Sequence, residues 1–162
     1  MLYEFTYDMD GFMAMLRMTK SVISGSAPLT ILSETVFRPG DLDIYVPSKY
    51  QADVIAFWHS DGYRVVNARP ITDKHYSQKH LLRTLRLSRL DIEVKPVINI
   101  LVVAGTSAIA PILDFDFSFA MNAITSNGII SFYPRMTLVK EGVINRDGTT
   151  AICVDYLWIY LI

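Results

Sequence analysis

Two carboxylates two residues apart, Asp41 and Asp43, open the β-prone run Asp41-Leu42-Asp43-Ile44-Tyr45-Val46. Successive side chains of a strand point to opposite sides, so both acids fall on one face of a sheet. Two anions so placed need a cation. Magnesium, with manganese as its close substitute, accepts carboxylate and phosphate oxygens together and suits such a pair when the ligand is a nucleoside triphosphate. Upstream, the apolar run Val22-Ile23-Ser24 ends in Gly25-Ser26. A strand, a glycine turn and a helix start leave backbone amides pointing outward, which favours phosphate. Gly25 lets the backbone approach a phosphate closely, and the Ser26 hydroxyl can donate to its oxygens. Each motif has an ordinary explanation when taken alone: Gly-Ser turns cap helices, and Asp-x-Asp strands are often solvated. Their order along one chain is the stronger signal.

The elements that position these residues follow from periodicity. Residues 1–19 read as a helix or an irregular lead-in, and 21–24 as a short buried strand. A helix is expected over about 27–34, with Ser26 at its N-cap and Pro28 in its first turn, where a missing N–H costs nothing. Pro39-Gly40 breaks the chain before the acid-bearing strand, 41–46. Tyr50, Val54, Phe57 and Trp58 have helical spacing within 49–60. Residues 63–66 begin a strand and 67–80, polar and containing Pro70, read as a loop. Residues 81–87 and 93–103 predict an antiparallel hairpin, and the β-branched run Val97–Val103 a central strand interrupted by Asn99. A short helix is expected from Thr106 or Ser107 to Leu113, and Asp114–Phe119 alternates like a strand. Asn127-Gly128 marks a turn between 121–124 and 129–133, and 134–141 reads as a last helix. The apolar segment beyond Asp147-Gly148 fits strand or helix. The expected fold is α/β in the α+β sense: one domain, 1–162, with a mixed, mainly antiparallel sheet backed by helices, a core of about 20–141 and an apolar tail over 142–162.

Composition bounds the function classes. Of 162 residues, 51% are hydrophobic and 12% aromatic, which excludes a disordered chain. With 15 basic against 16 acidic side chains, global charge does not announce nucleic acid. One cysteine, Cys153, excludes an internal disulfide and a cysteine-rich zinc site, and makes a reducing, intracellular and cytoplasmic setting the default. The acidic start, Met1 to Asp8, lacks the features of an export signal. The apolar tract Tyr156–Ile162 is far short of the ~20 residues that span a bilayer, so no membrane partner is expected.

With Ser24-Gly25-Ser26 and Asp41-Leu42-Asp43 on adjoining strands, the chain resembles the nucleotidyltransferase superfamily typified by the DNA polymerase beta palm. The pattern Phe37-Arg38-Pro39-Gly40-Asp41-Leu42-Asp43-Ile44-Tyr45-Val46 is similar to uncharacterised nucleotidyltransferase-like proteins of fungi. So are Val97–Leu101, Ile112–Ser118, Met121–Ile124 and Ser131–Arg135, and the likeness covers about 20–141. The resemblance implies nucleotide binding at Gly25 and Ser26, metal binding at Asp41 and Asp43, and a third acid on a later strand. It implies magnesium-dependent transfer of a nucleotidyl group from a nucleoside triphosphate to an acceptor hydroxyl on RNA, protein or a small molecule. The third acid falls at or near Asn99, whose amide can coordinate a cation but brings no charge and cannot act as a base. Asp91 with Glu93, and Asp114 with Asp116, are the minor contenders for that role. The alternative is therefore a pseudoenzyme that keeps the fold and serves as a nucleotide-binding or protein-interaction module.

Other residues carry weaker signals. Lys74, His75, Lys79, His80, Arg83, Arg86 and Arg89 form a strip that could grip a polyanion or simply be solvated. His59 and Cys153 read as structural, and Phe115, Phe117 and Phe119 as sheet packing. The tail Tyr156–Ile162 offers a surface for a partner or for homo-oligomerisation.

Overall fold

Val97–Val103, β-branched along most of its length, forms the strand on which the sheet is organised. The computed structural model describes residues 1–32, 39–72, 80–90, 96–139, 141–146 and 149–154. In chain order its elements are α1 (Met9–Thr19), β1 (Val22–Ser24), α2 (Ser26–Leu32), β2 (Asp41–Pro47), α3 (Gln51–Ser60), β3 (Tyr63–Pro70), β4 (Leu81–Arg89), β5 (Val97–Val103), β6 (Asn122–Thr125), β7 (Gly128–Ser131), α4 (Pro134–Val139), β8 (Glu141–Arg146) and β9 (Thr149–Val154). A seven-stranded sheet has the order β3-β4-β5-β2-β1-β6-β7, and β8 pairs with β9 apart from it. Every neighbouring pair is antiparallel except β2 and β5, which run parallel. The fold is thus α+β with a mixed, mainly antiparallel sheet, as the periodicity predicts.

Helices α1 and α3 back one face of the sheet over β1, β2, β4 and β5, whereas β3 beyond Tyr63 is exposed. The Asp8 carboxylate accepts from Gly11 N–H at 2.9 Å to start α1, and Lys20 ends it in a left-handed conformation at φ 54°. Between those caps Phe12, Met15, Leu16 and Thr19 recur at helical spacing and are buried. With Val54 and Trp58 of α3 they cover Ile23, Leu42, Ile44, Leu85, Leu87, Ile98 and Ile100. Among the described residues the opposite face is covered at one end alone. There Val22, Tyr45, Leu81, Val103 and Ala123 meet Ala108 and Ile112, the latter in a 3-10 turn over Ala110–Asp114. The other end of that face carries the polar residues described below.

Several expected elements differ in detail. β3 continues through Asn67, Ala68 and Arg69 to Pro70, where a loop is predicted; it is an edge strand, and proline is tolerated where no neighbour needs its N–H. The helix expected to reach Leu113 is the five-residue 3-10 turn. Asp114–Phe119 is not a strand: Phe115 turns onto Tyr45 with ring centres 6.1 Å apart, while Phe117 and Phe119 stack at 5.6 Å. Local alternation yields here to the packing of the covering layer. Ser26 begins α2 rather than capping it from outside. The β6–β7 turn is Ser126-Asn127, with Gly128 already in β7. Helix α4 stops at Val139, and the segment after it is the β8–β9 hairpin, tied down by Val143 N–H donating to Ser118 Oγ at 2.9 Å. Tyr156–Ile162 lies outside the described residues, as does the side chain of Cys153. No helix among the described residues is long and apolar enough to cross a membrane.

Trp58 anchors the backed face: it is fully buried among Phe12, Phe57 and Tyr63, at ring-centre distances of 5.4, 5.3 and 5.1 Å. Its indole N–H has no hydrogen-bond partner among the described residues. Trp58→Ala is expected to cost about 3–5 kcal/mol in denaturant unfolding through the cavity it leaves. Trp58→Phe removes the unpaired donor as well as volume, and should cost at least about 2 kcal/mol less than the alanine variant.

Candidate functional site

Register brings the candidate residues together. Asp43 lies opposite Ser24 on one side and opposite Asn99 on the other, because β1 and β5 flank β2. On β2 the burial alternates, with Leu42 and Ile44 turned into the core and Asp41 and Asp43 half-buried on the other face. Asn99 Nδ2 donates to Asp41 Oδ2 and to Asp43 Oδ1, both at 2.9 Å, so a single amide uses its two N–H groups to bridge the two acids. Gly25 closes the third side. Its φ is +75°, in the left-handed region that glycine enters without penalty. A β-carbon built there would sit 2.5 Å from Asp43 Oδ2. The Ser24 hydroxyl donates to the Asn122 carbonyl at 2.6 Å, which ties the end of β1 to β6 and fixes where the Gly25 turn leaves the sheet.

Crowding leaves an electrostatic mark. Burial pushes the Asp43 carboxyl up from 3.8 to about 6, the Asn99 hydrogen bond opposes this, and the neighbouring Asp41 charge adds to it. No third His, Cys, Asp or Glu completes a metal cluster with the pair among the described residues. Asp114 lies instead near the far end of β5, with His80 Nε2 3.6 Å from its Oδ2. Asp116 forms no such cluster either, and Asp91 and Glu93 lie outside the described residues. The donor set nonetheless fits a hard divalent cation: two carboxylates and one amide share a spot, and turning the Asn99 side chain end for end presents Oδ1 in place of its N–H groups.

The basic strip does not form one surface. Lys74, His75 and Lys79 lie outside the described residues. Arg83 is on the helix side, where its Nε donates to Gln51 Oε1 at 2.9 Å. Arg89 is 6% exposed, its Nη2 lies 3.3 Å from Asp61 Oδ2, and its guanidinium sits over the Tyr7 and Tyr63 rings. Arg86 points the other way, opposite Asn99 in register. There it joins Asn67, Arg69 and Thr84 around an open pocket of about 200 Å³ that also touches Asn99. Arg69 and Asn67 are missed by a reading that makes 67–80 a loop; the alternation of Thr84 and Arg86 with buried Leu85 and Leu87 was the available signal. His59 is exposed in the last turn of α3.

No family model, curated protein or solved structure matches the chain.

Two measurements test this geometry. Folded Asp43 keeps its proton up to about pH 6, whereas the unfolded chain releases it near 3.8. The stabilisation from that proton is full below pH 3.8 and is lost as pH rises to about 6, an upper figure of about 3 kcal/mol for a group partly open to solvent. Asp43→Asn should flatten this part of a stability-against-pH curve measured by urea unfolding without divalent metal. Gly25→Ala should cost about 1–2 kcal/mol from the backbone alone, and should also push the Asp43 carboxylate off Asn99, seen as a change in the Asn99 side-chain amide resonances.

Proposed function

We propose that this chain is a magnesium-dependent nucleotidyltransferase of the type its sequence resembles, moving a nucleotidyl group from a nucleoside triphosphate to an acceptor hydroxyl. The observation that carries this reading is the meeting of Asp41, Asp43, Asn99 and the Gly25 turn at one point on a sheet face, at the end that no described residue covers. Asp41 and Asp43 would hold the metal, with Asn99 supplying an amide oxygen. Bound magnesium supplies positive charge to the phosphates and acidity to the acceptor hydroxyl. Gly25 keeps the approach to the acids free of a side chain, and Ser26 at the start of α2 offers its hydroxyl and backbone N–H to phosphate oxygens. The reducing, intracellular setting expected from one cysteine suits such a substrate.

One observation favours a second reading. Asn99 occupies the position beside the pair where the resemblance expects a carboxylate, and an amide cannot take a proton from the acceptor. A nucleotide-binding pseudoenzyme would keep every contact described and lack turnover.

Magnesium-dependent binding of a labelled nucleoside triphosphate and release of pyrophosphate separate the two. Wild type should bind in magnesium and lose at least tenfold in affinity in Asp41→Ala and Asp43→Ala. Pyrophosphate release in the presence of an acceptor supports transfer, and Asn99→Asp should raise its rate. Binding that needs the acids with no pyrophosphate from any acceptor hands the site to the second reading. Identical behaviour of wild type and the doubly substituted chain removes both.

A further inference from the structure

Arg69 and Arg86 stand on neighbouring strands, on the sheet face that carries the acids, and line one pocket with Asn67, Thr84 and Asn99. Neither guanidinium has an ion-pair partner among the described residues, unlike Arg89, which is tied to Asp61. Two guanidiniums, the Asn67 and Asn99 amides and the Thr84 hydroxyl line the same space, and all but Asn99, whose N–H groups go to the acids, have donors to offer there. Ten N–H groups in two planar forks match the several oxygens and the charge of a phosphate better than one carboxylate. A volume of about 200 Å³ holds a phosphate and part of a sugar, and is below the ~300 Å³ at which whole small-molecule sites begin. The pocket also has a definite place relative to the acids. Asp43, Asn99, Arg86 and Asn67 form one row across β2, β5, β4 and β3, so Arg86 lies two strands, roughly 10 Å, from Asp43. The Gly25 turn lies on the opposite side of Asp43.

We propose that Arg69 and Arg86 form a phosphate-binding pocket for the acceptor, which therefore carries a phosphate next to the hydroxyl that reacts. The second half of this rests on the nucleotidyl-transfer reading; the pocket itself does not. With the triphosphate on the Gly25 side of the acids, an acceptor phosphate on the arginine side leaves its neighbouring hydroxyl between the two, over Asp41 and Asp43.

Calorimetric titration of the full chain with the diadenosine monophosphate ApA, its uncharged methylphosphonate counterpart, ribose 5-phosphate and a magnesium–triphosphate complex tests the proposal. ApA or ribose 5-phosphate should bind, and which of them binds tighter tells a nucleic-acid end from a small sugar phosphate. The methylphosphonate should bind at least tenfold more weakly than ApA, as should ApA to an Arg69→Gln/Arg86→Gln chain whose melting curve matches wild type. Arg69→Lys/Arg86→Lys should fall between, since charge is kept and the forks are lost. Asp41→Asn/Asp43→Asn should bind ApA as tightly or tighter, because two nearby negative charges are gone. If that acid-free chain also keeps its magnesium–triphosphate binding, the nucleotidyl-transfer reading fails and the pocket stands. The pocket is overturned if neither phosphate probe binds wild type, if the methylphosphonate equals ApA, or if the glutamine variant binds ApA unchanged. It is equally overturned if the arginine replacements weaken triphosphate binding and leave ApA alone.

Discussion

One amide holds two carboxylates. Asp41 and Asp43 share a face of β2 because strand geometry leaves them no other choice, and like charges at that separation repel. The Asn99 side chain, two N–H groups on one nitrogen, satisfies both without adding a counter-charge. For this to happen the neighbouring strand must place a polar residue opposite Asp43, which makes β2 and β5 the structural decision on which the site depends. Their parallel pairing puts Asp43 opposite Asn99 and Ile44 opposite Ile100. A slip of one residue would turn Asn99 into the helix-backed core and expose Ile98 or Ile100. The fully buried Ile98 and Ile100 therefore fix the register, and the register builds the site.

The same sheet separates stability from chemistry by face and by end. The helix-backed face is mainly apolar, with Arg83 and Arg89 of β4 on it, while the opposite face is apolar where Tyr45 and Val103 meet the 3-10 turn and polar where Asp41, Asp43, Asn99 and Arg86 stand. No layer covers that polar end among the described residues, and Asp41 and Asp43 are half-buried there. A fully covered site would have to compensate the desolvation of two carboxylates and two guanidiniums. Asp43, the most crowded of them, is already shifted by burial.

How much of this could be read in advance depends on whether a residue's role is local. The strand–Gly–helix unit, the Asp-Leu-Asp alternation and the β-branched run were legible because each is set by its own neighbours in sequence. Asn99 was legible as an exception, one polar residue in an apolar strand. Arg69 was not, since Pro70 and the polar stretch after it look like a loop until β4 is there to pair with. The basic strip failed for a related reason: on β4, Arg83 and Arg89 fall on one face and Arg86 on the other, a division that counting charges cannot see. Asp114–Phe119 erred in the opposite direction, where good alternation lost to a packing partner, Tyr45, on a distant strand.

The amide at position 99 also bears on how many cations the site could balance. Two carboxylates match the charge of one divalent ion, and magnesium characteristically takes one or two carboxylates and completes its shell with phosphate oxygens and water. A third acid in the same row would leave the metal-free protein with three adjacent anions and would suit two cations instead. With Asn99, the metal-free state is held by hydrogen bonds, and under the proposed function a single divalent ion arriving with a triphosphate would neutralise the acids. The excess negative charge of phosphates bound in that way would then have to be met elsewhere on the same face. Arg86 in the acids' own row and Arg69 beside it, without an ion-pair partner among the described residues, are placed to do so on the side away from Gly25. An acceptor phosphate seated there would be held by charge the metal does not supply, and the acid pair and the arginine pair would then divide the electrostatic work between two substrates.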